Sequence, residues 1–393
     1  MYPGNHPGRM KILIVTDAWR PQTNGVVSTL SHTVDCLSGF GHEVCLITPV
    51  GFRTVACPSY PEIRLALFPG AKVARAITAF GPDAVHIATE AALGLAARRY
   101  CLRHGLYFTT SYHTQFPQYL RSRLPIPLSL TYRWLRAFHG AARACMVSTR
   151  TMQAELEQRG FRNVARWQRG VDTQLFRPGP KQFLDLPRPI AVYVGRLAVE
   201  KNIDAFLKMP WAGSKLVVGD GPERVRLQAS YPEAVFAGYR FGEDLAAHLA
   251  AADVFVFPSR TDTFGLVNLE AMACGVPVAA YPVTGPIDVV EEGVTGALDE
   301  NLARAARRAL LLDPGACRAR ALRSSWESST HEFAGNLTAL RTGKSLLASA
   351  AGALQRPGQA FGQVVQRGPH GGQQTAPPRE DHVQQPLRQS PVV

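Results

Sequence analysis

The 393-residue chain predicts an α/β protein of two consecutive doubly wound, Rossmann-like units facing across a cleft. Three observations carry this. Short β-branched runs alternate with helical stretches from Lys11 onward, the pattern of parallel sheets wrapped by helices. The alternation stops at a proline-rich stretch, RPGPKQFLDLPRP (177–189), and then starts again. A chain of this length with 46% hydrophobic residues also exceeds the usual size of a single core.

In the first unit the strands are KILIVTD (11–17), EVCLITP (43–49), AVHIAT (84–89), LYFTTSY (106–112) and ACMVST (144–149), with helices around 26–40, 91–104, 128–142 and 151–159. The second unit repeats the scheme without detectable sequence similarity. Its strands are IAVYVG, KLVVG, AVFAG, VFVFPS and VPVAAY, and its helices lie around 202–208, 222–230, 243–252, 266–274 and 302–312. The expected division is an extension at 1–9, a first domain at 10–170, a linker at 171–188 and a second domain at 189–318. A C-terminal helical segment at 319–345 and a tail at 346–393 follow. Met10 reads as a natural start, and the Gln-, Pro-, Gly- and Ser-rich tail as disordered. Ligands of such sheets bind beyond the carboxyl ends of the strands, so the facing edges form the expected site.

Lys and Arg exceed Asp and Glu by 43 to 30, a net charge of +13, which favours anionic partners: nucleotides, phosphorylated substrates, nucleic acid or an anionic membrane. No nucleic-acid motif accompanies the charge, so nucleic acid is not expected as a partner. The seven cysteines form no C-x-x-C pair and no His/Cys cluster at zinc spacing, and read as reduced core thiols. No metal or other cofactor is expected. There is no run of eighteen apolar residues and no signal-peptide core, so the expected location is cytoplasmic.

The most informative segment is DVFVFPSRTDTFGLVNLEAMACGVPVAAYPVTGP (from 253). A buried strand ends at Pro258, a polar loop follows, and FGLVNLEAMACG opens a helix whose first amides lack internal partners and favour a phosphate or a sugar oxygen. Asp262 on the loop and Glu270 in the helix lie eight positions apart. A carboxylate at the second position can accept hydrogen bonds from a vicinal diol; in isolation the pair would better suit a helix cap and a solvated acid, and the surrounding pattern reverses that. In YVGRLAVEKNID (193–204), Arg196 follows a strand and Lys201 precedes a helix, two cations suited to a diphosphate. VVGDGPER contributes Gly219 in a tight turn. In the first unit, Gly25 follows the first strand and lets backbone approach a phosphate, and His113 ends a strand at the cleft edge.

Together these segments resemble the retaining glycosyltransferases of family four, over roughly residues 10–340. TDTFGLVNLEAMACGVPV is similar to that family's acidic-x7-acidic signature, YVGRLAVEKNID to its GR-x-x-x-EK element, RGVDTQLFRP (169–178) to its hinge, and SWESSTHEF (325–333) to its closing helix, which returns to the first domain. The resemblance implies a GT-B fold with the acceptor on the first domain and the donor on the second. It implies that Glu270 binds the nucleotide ribose, that Asp262, Phe264, Gly265 and Leu266 line the sugar and phosphate site, that Arg196 and Lys201 neutralise the leaving diphosphate, and that His113 lies by the donor sugar. Two departures stand out: Asp262 replaces the commoner Glu, and Asn24 occupies the place of a first glycine before Gly25.

The implied reaction moves a hexosyl unit, mannose favoured over glucose or a related sugar, from a nucleoside diphosphate sugar (GDP-mannose or a UDP-hexose) to an acceptor hydroxyl with retention and without metal. Between Ala91 and Ala154 there is no Asp or Glu but nine arginines, among them Arg121, Arg123, Arg133 and Arg136, interleaved with Leu, Trp, Phe and Tyr. That composition suits an anionic bilayer carrying a lipid acceptor, and so a peripheral position on the inner face of the cell membrane. Two rival readings are a nucleotide-sugar epimerase on the same fold and a non-catalytic sugar-nucleotide-binding scaffold.

Overall fold

The computed structural model describes residues 8–57, 60–121, 127–337 and 363–364. The first domain runs β1 (Lys11–Val15), α1 (Gly25–Gly39), β2 (Glu43–Ile47), β3 (Thr54–Cys57), β4 (Tyr60–Ala66), α2 (Gly70–Phe80), β5 (Ala84–Ile87), α3 (Ala92–Arg103), β6 (Thr109–Ser111), α4 (Phe116–Arg121), α5 (Leu128–His139), β7 (Ala144–Val147), α6 (Arg150–Gln158) and β8 (Val164–Arg166). The second runs β9 (Ala191–Val194), α7 (Ile203–Lys208), β10 (Lys215–Val218), α8 (Arg224–Ser230), β11 (Val235–Gly238), α9 (Gly242–Ala251), β12 (Val254–Phe257), α10 (Leu266–Ala273), β13 (Val278–Ala280), α11 (Pro286–Val289), β14 (Gly296–Leu298), α12 (Leu302–Ala309) and α13 (Pro314–Leu322). α14 (Trp326–Asn336) and a two-residue β15 (Gln363–Val364) follow. The rest of the tail, and most of the 1–9 extension, lie outside the described residues.

The first sheet has the order β15-β2-β1-β5-β6-β7-β8, and the second β11-β10-β9-β12-β13-β14. Every pair is parallel except β15 with β2. Strands buried on both faces explain the uninterrupted apolar runs read from the sequence: Ile12, Leu13, Ile14 and Val15 are all fully buried, alternating between the cores on the two sides of the sheet. The chain reverses direction of growth between β1 and β5 in the first sheet, and between β9 and β12 in the second. Crevices open at these switch points, beyond the carboxyl ends of the strands.

Periodicity missed the β3–β4 hairpin, α2, α4, β8, β14, α11 and α13. The hairpin's strands lie on the surface as an isolated two-stranded sheet, so they lack the apolar run that marks a buried strand.

α14 packs on α1. His32 stacks on Trp326 and Phe40 on His331, with ring centroids 4.7 and 4.2 Å apart, and Phe333 enters the core with Ile12, Ile14 and Leu30. The chain thus crosses between domains twice, and the crossings touch: Val171 N–H donates to the Ser324 carbonyl at 2.9 Å. A Cβ on Gly170 would meet the Trp326 nitrogen at 2.5 Å, so only glycine permits this approach. All seven cysteines are free; Cys36 and Cys57 are half-buried and the other five are buried.

Candidate active site

The switch point of the second sheet brings the loop after β9, with Arg196, beside the loop after β12, with Asp262. Three contacts join them. Lys201 Nζ donates to Asp262 Oδ1 at 2.6 Å, Asn202 Nδ2 to the Pro258 carbonyl at 3.1 Å, and Thr261 Oγ1 to the Glu200 carbonyl at 3.4 Å. Asn202 adopts a left-handed conformation (φ 54°), which Asn tolerates better than most side chains and which turns Lys201 into the loop. Asp262 Oδ2 is buried with no hydrogen-bond partner. The cation and acid that the sequence singled out separately are therefore a pair before any donor arrives.

Arg196 is half-buried, and its carbonyl accepts the Tyr193 hydroxyl at 2.9 Å. Gly219 lies behind it. At φ 139°, a Cβ there would fall 1.9 Å from the Gly195 carbonyl oxygen, so the glycine lets the turn after β10 press against the Arg196 loop. That backbone approach is the finding for Gly219, where the sequence suggested a tight turn.

Gly265, at φ 77°, caps α10 with backbone alone; a Cβ would meet Asn268 Nδ2 at 2.6 Å and Phe257 Cζ at 2.8 Å. No side chain caps this N-terminus, so its first amides stay open to an anion. Phe264 packs on the core of the second domain, which leaves its backbone, not its ring, for a ligand. One turn into α10, Glu270 is half-buried, and no hydrogen bond among the described residues reaches its carboxylate. Burial alone pushes its pKa from 4.5 up to about 7. A carboxylate desolvated without a partner is costly, and a vicinal diol would supply the missing donors.

Across the cleft, Thr263 ties the acid loop to the first domain. Its hydroxyl donates to the His113 carbonyl at 2.7 Å, while its own carbonyl accepts Ser148 Oγ at 3.3 Å and Thr149 Oγ1 at 3.5 Å. Asp288 Oδ1 accepts the Thr151 amide at 3.1 Å, capping the first turn of α6 from the opposite domain. Sequence reasoning passed over Thr263, Ser148, Thr149 and Asp288, which only chain crossing brings together.

His113 stands between the domains with its Nδ1 3.3 Å from Nη2 of the buried Arg169. A guanidinium can only donate, so Nδ1 accepts and the proton sits on Nε2, a buried atom with no partner. Burial, with Arg169 adding to it, holds the His113 pKa well below 6.5. His113 is thus a neutral hydrogen-bond donor. Arg169, unremarked within the hinge motif, fixes its tautomer.

Gly25 opens α1, where Asn24 Oδ1 accepts the amides of Val26 and Val27, both at 3.1 Å. The amides expected to meet a phosphate are thus partly satisfied by the residue in the missing glycine's place. A Cβ at Gly25 would lie 3.6 Å from Leu266 Cδ1, which sets the start of α1 against the start of α10.

The arginine field divides. Arg136 Nη1 donates to the Arg159 carbonyl at 2.8 Å, and Arg98 Nε and Nη2 to the Phe138 and Ala137 carbonyls at 3.0 and 2.8 Å, so both secure helix ends. Arg136 is exposed on α5, where the sequence placed a membrane- or acceptor-side cation, and it also holds the end of α6. Arg133 is exposed on α5 beside exposed Leu130 and Trp134. Arg121 closes α4, and Arg123 lies outside the described residues. No helix among the described residues is long and apolar enough to cross a membrane, and no group of three or more His, Cys, Asp or Glu among them could hold a metal ion.

Two family models match: Glycosyltransferase Family 4 over residues 23–175 and Glycosyl transferases group 1 over residues 188–312. The chain is 34% identical over 316 residues to the GDP-mannose-dependent alpha-mannosyltransferase of Mycobacterium tuberculosis, covering 74% of this chain and 83% of that one. It is 29% identical to the enzyme of that name from Corynebacterium glutamicum, covering 74% and 76%. Sucrose-phosphate synthase from Thermosynechococcus elongatus shares the fold at TM-score 0.64 and 22% identity, covering 83% of this chain and 98% of that one. HepE of Anabaena, solved with UDP and glucose, does so at TM-score 0.63 and 18% identity, covering 83% and 99%. The first two are named as transferases and the third as a synthase. With two parallel-sheet domains facing across a cleft, and with these matches over both, the chain is a hexosyltransferase of glycosyltransferase family four with the GT-B fold.

Proposed function

We propose that the protein transfers mannose from GDP-mannose to a hydroxyl of a membrane glycolipid, with retention of configuration. The observation that carries the donor is the similarity, over more than three quarters of their length, to proteins named GDP-mannose-dependent alpha-mannosyltransferases. In this reading Glu270 holds the ribose diol, and the open amides of α10 with Arg196 and Lys201 hold the diphosphate. The C1–O bond to the diphosphate breaks, the acceptor oxygen bonds C1 on the same face, and its proton passes to the departing phosphate oxygen. Preorganised charge beside the leaving group is the main catalytic device, and it supplies without a metal the compensation the diphosphate needs. His113 Nε2–H donates to the donor sugar.

The membrane side is the first domain. Arg133, Leu130 and Trp134 on α5 form one apolar and cationic face, and Phe68, 96% exposed at the tip between β4 and α2, forms a second. Aromatic side chains with nearby cations suit the surface of an anionic bilayer on the cytoplasmic leaflet.

The decisive experiment incubates the protein with GDP-mannose, UDP-glucose or UDP-galactose and vesicles of phosphatidylinositol or glycosyl diacylglycerol, in EDTA. Mannolipid formed from GDP-mannose, with an α-linkage by NMR, is expected. Transfer from a UDP-hexose alone overturns the donor, and a β-linked product overturns retention.

A further inference from the structure

The switch point of the first sheet holds an acid that the catalytic reading does not use. β5 lies between β1 and β6, so the loop after β5 is flanked by two contacts between the domains, Gly25 facing Leu266 on one side and His113 bonded to Thr263 on the other. The loops following β1, β2, β5, β6 and β7 carry two acids, Asp17 and Glu90. Asp17 is buried and fully engaged: it accepts the Leu93 and Gly94 amides at 2.8 and 3.3 Å and the Thr89 hydroxyl at 2.8 Å.

Glu90 differs. Its Oε1 lies 3.2 Å from Nε2 of His139, a side chain with no exposure, while Glu90 itself is 22% exposed and its second oxygen has no partner among the described residues. His139 Nδ1 lies 2.9 Å from Thr110 Oγ1, whose own hydrogen points to the Ala144 carbonyl at 3.5 Å. The ring is thereby held between Thr110 and Glu90, with Nε2 placed to donate to the carboxylate. Burial opposes a charge on this ring, while the Glu90 carboxylate against Nε2 favours it and pushes the His139 pKa up. A buried ring that fixes one oxygen of a partly exposed carboxylate leaves the other oxygen oriented and free to accept a hydrogen bond.

We infer that Glu90, braced by His139, positions the acceptor by accepting a hydrogen bond from a hydroxyl of its sugar or polyol headgroup. The inference rests on the transferase reading but not on which base or sugar the donor carries. Glu90 is a positioning residue: the acceptor proton still leaves on the phosphate, and the carboxylate orients the headgroup so that the attacking oxygen reaches C1.

The test separates transfer from hydrolysis. The nucleoside diphosphate hexose that the wild type turns over is supplied with and without octyl α-D-mannopyranoside as a soluble glycolipid probe; both glycosylated probe and free hexose are measured. Glu90→Gln is expected to bind GDP and hydrolyse donor within twofold of wild type, while the ratio of transfer to hydrolysis falls at least tenfold and the KM for the probe rises. Glu90→Asp keeps the charge facing His139 and withdraws the open oxygen by one methylene; it should raise the probe KM with an unchanged melting temperature. It also carries the test should the Gln variant not fold. Parallel loss of hydrolysis and transfer, or an unchanged ratio in both variants, overturns the assignment. A wild type that uses UDP-glucose in place of GDP-mannose overturns the donor proposed above and leaves the Glu90 comparison intact.

Discussion

Glu270→Gln should strengthen the fold and weaken the donor site at once. Burial raises the Glu270 pKa from 4.5 in the unfolded chain to about 7 in the folded one. Between those values the folded state holds a proton that the unfolded state has released, so stability falls as pH climbs through the window and stays lowered above it. At 1.36 kcal/mol per pH unit, the ionised carboxylate costs the fold on the order of 3 kcal/mol above neutrality. The Gln variant has no such cost and should melt roughly 5 °C or more higher at pH 8, with no gain below about pH 4.5. GDP binding should move the other way. A charged hydrogen bond to a buried diol is worth about 1.5–3 kcal/mol, so affinity at pH 8 should drop roughly 10- to 150-fold. In the wild type only the ionised form binds well, so affinity should fall about tenfold from pH 8 to pH 6, and the Gln variant should lose that part of the dependence. Calorimetry with GDP at both pH values, alongside thermal melts, measures all of this. A variant with wild-type GDP affinity, or one that melts lower at pH 8, would refute the assignment of Glu270 as an unpartnered carboxylate waiting for a diol.

Asp262→Asn should release Lys201 from its 2.6 Å pair and remove a negative charge near the diphosphate, tightening GDP binding a few-fold while lowering transfer at least tenfold. Weaker GDP binding in calorimetry would show that the pair does not compete with the donor. Removing Phe68, Arg133 and Trp134 together (to Ser, Gln and Ser) should reduce co-sedimentation with phosphatidylglycerol vesicles, by about 1 kcal/mol for the arginine and more for the aromatic side chains. Arg136→Gln should instead lower the melting temperature and leave vesicle binding unchanged, because its guanidinium serves the Arg159 carbonyl; the reverse pattern would show that Arg136 acts at the membrane face.

Much of this fold could be read in the sequence because its strands are buried on both faces. VFVF and KILIV announce themselves by composition alone, and the loops that follow them must carry the site. The β3–β4 hairpin gave no such signal, since its strands expose residues such as Val55 and Ala56. Within the site, residues that act through local geometry were legible. Gly265 and Glu270 lie on one loop and helix, at spacings that the helix fixes. The pairing of Lys201 with Asp262 spans 61 residues, and the bond from Thr263 to His113 spans 150; neither has a trace in local pattern. Arg136 shows the opposite limit. Composition registered a charge, but only the fold shows that a helix end claims it.

The long-range contacts also explain how one short loop can serve both domains. Asp262 and Thr263 are chain neighbours. The first is held by Lys201 within the second domain, and the second by the His113 carbonyl in the first domain. The loop that carries Asp262 to Lys201 is therefore the loop that carries Thr263 to His113. Behind them the two interdomain crossings lie in backbone contact at Gly170 and Trp326, while α14 stays packed on α1. A rotation of the second domain about this paired crossing would leave the core around Phe333 undisturbed and open or close the cleft at Thr263. In the reading proposed above, a donor diphosphate that draws Lys201 from Asp262 acts on the same loop that joins the domains.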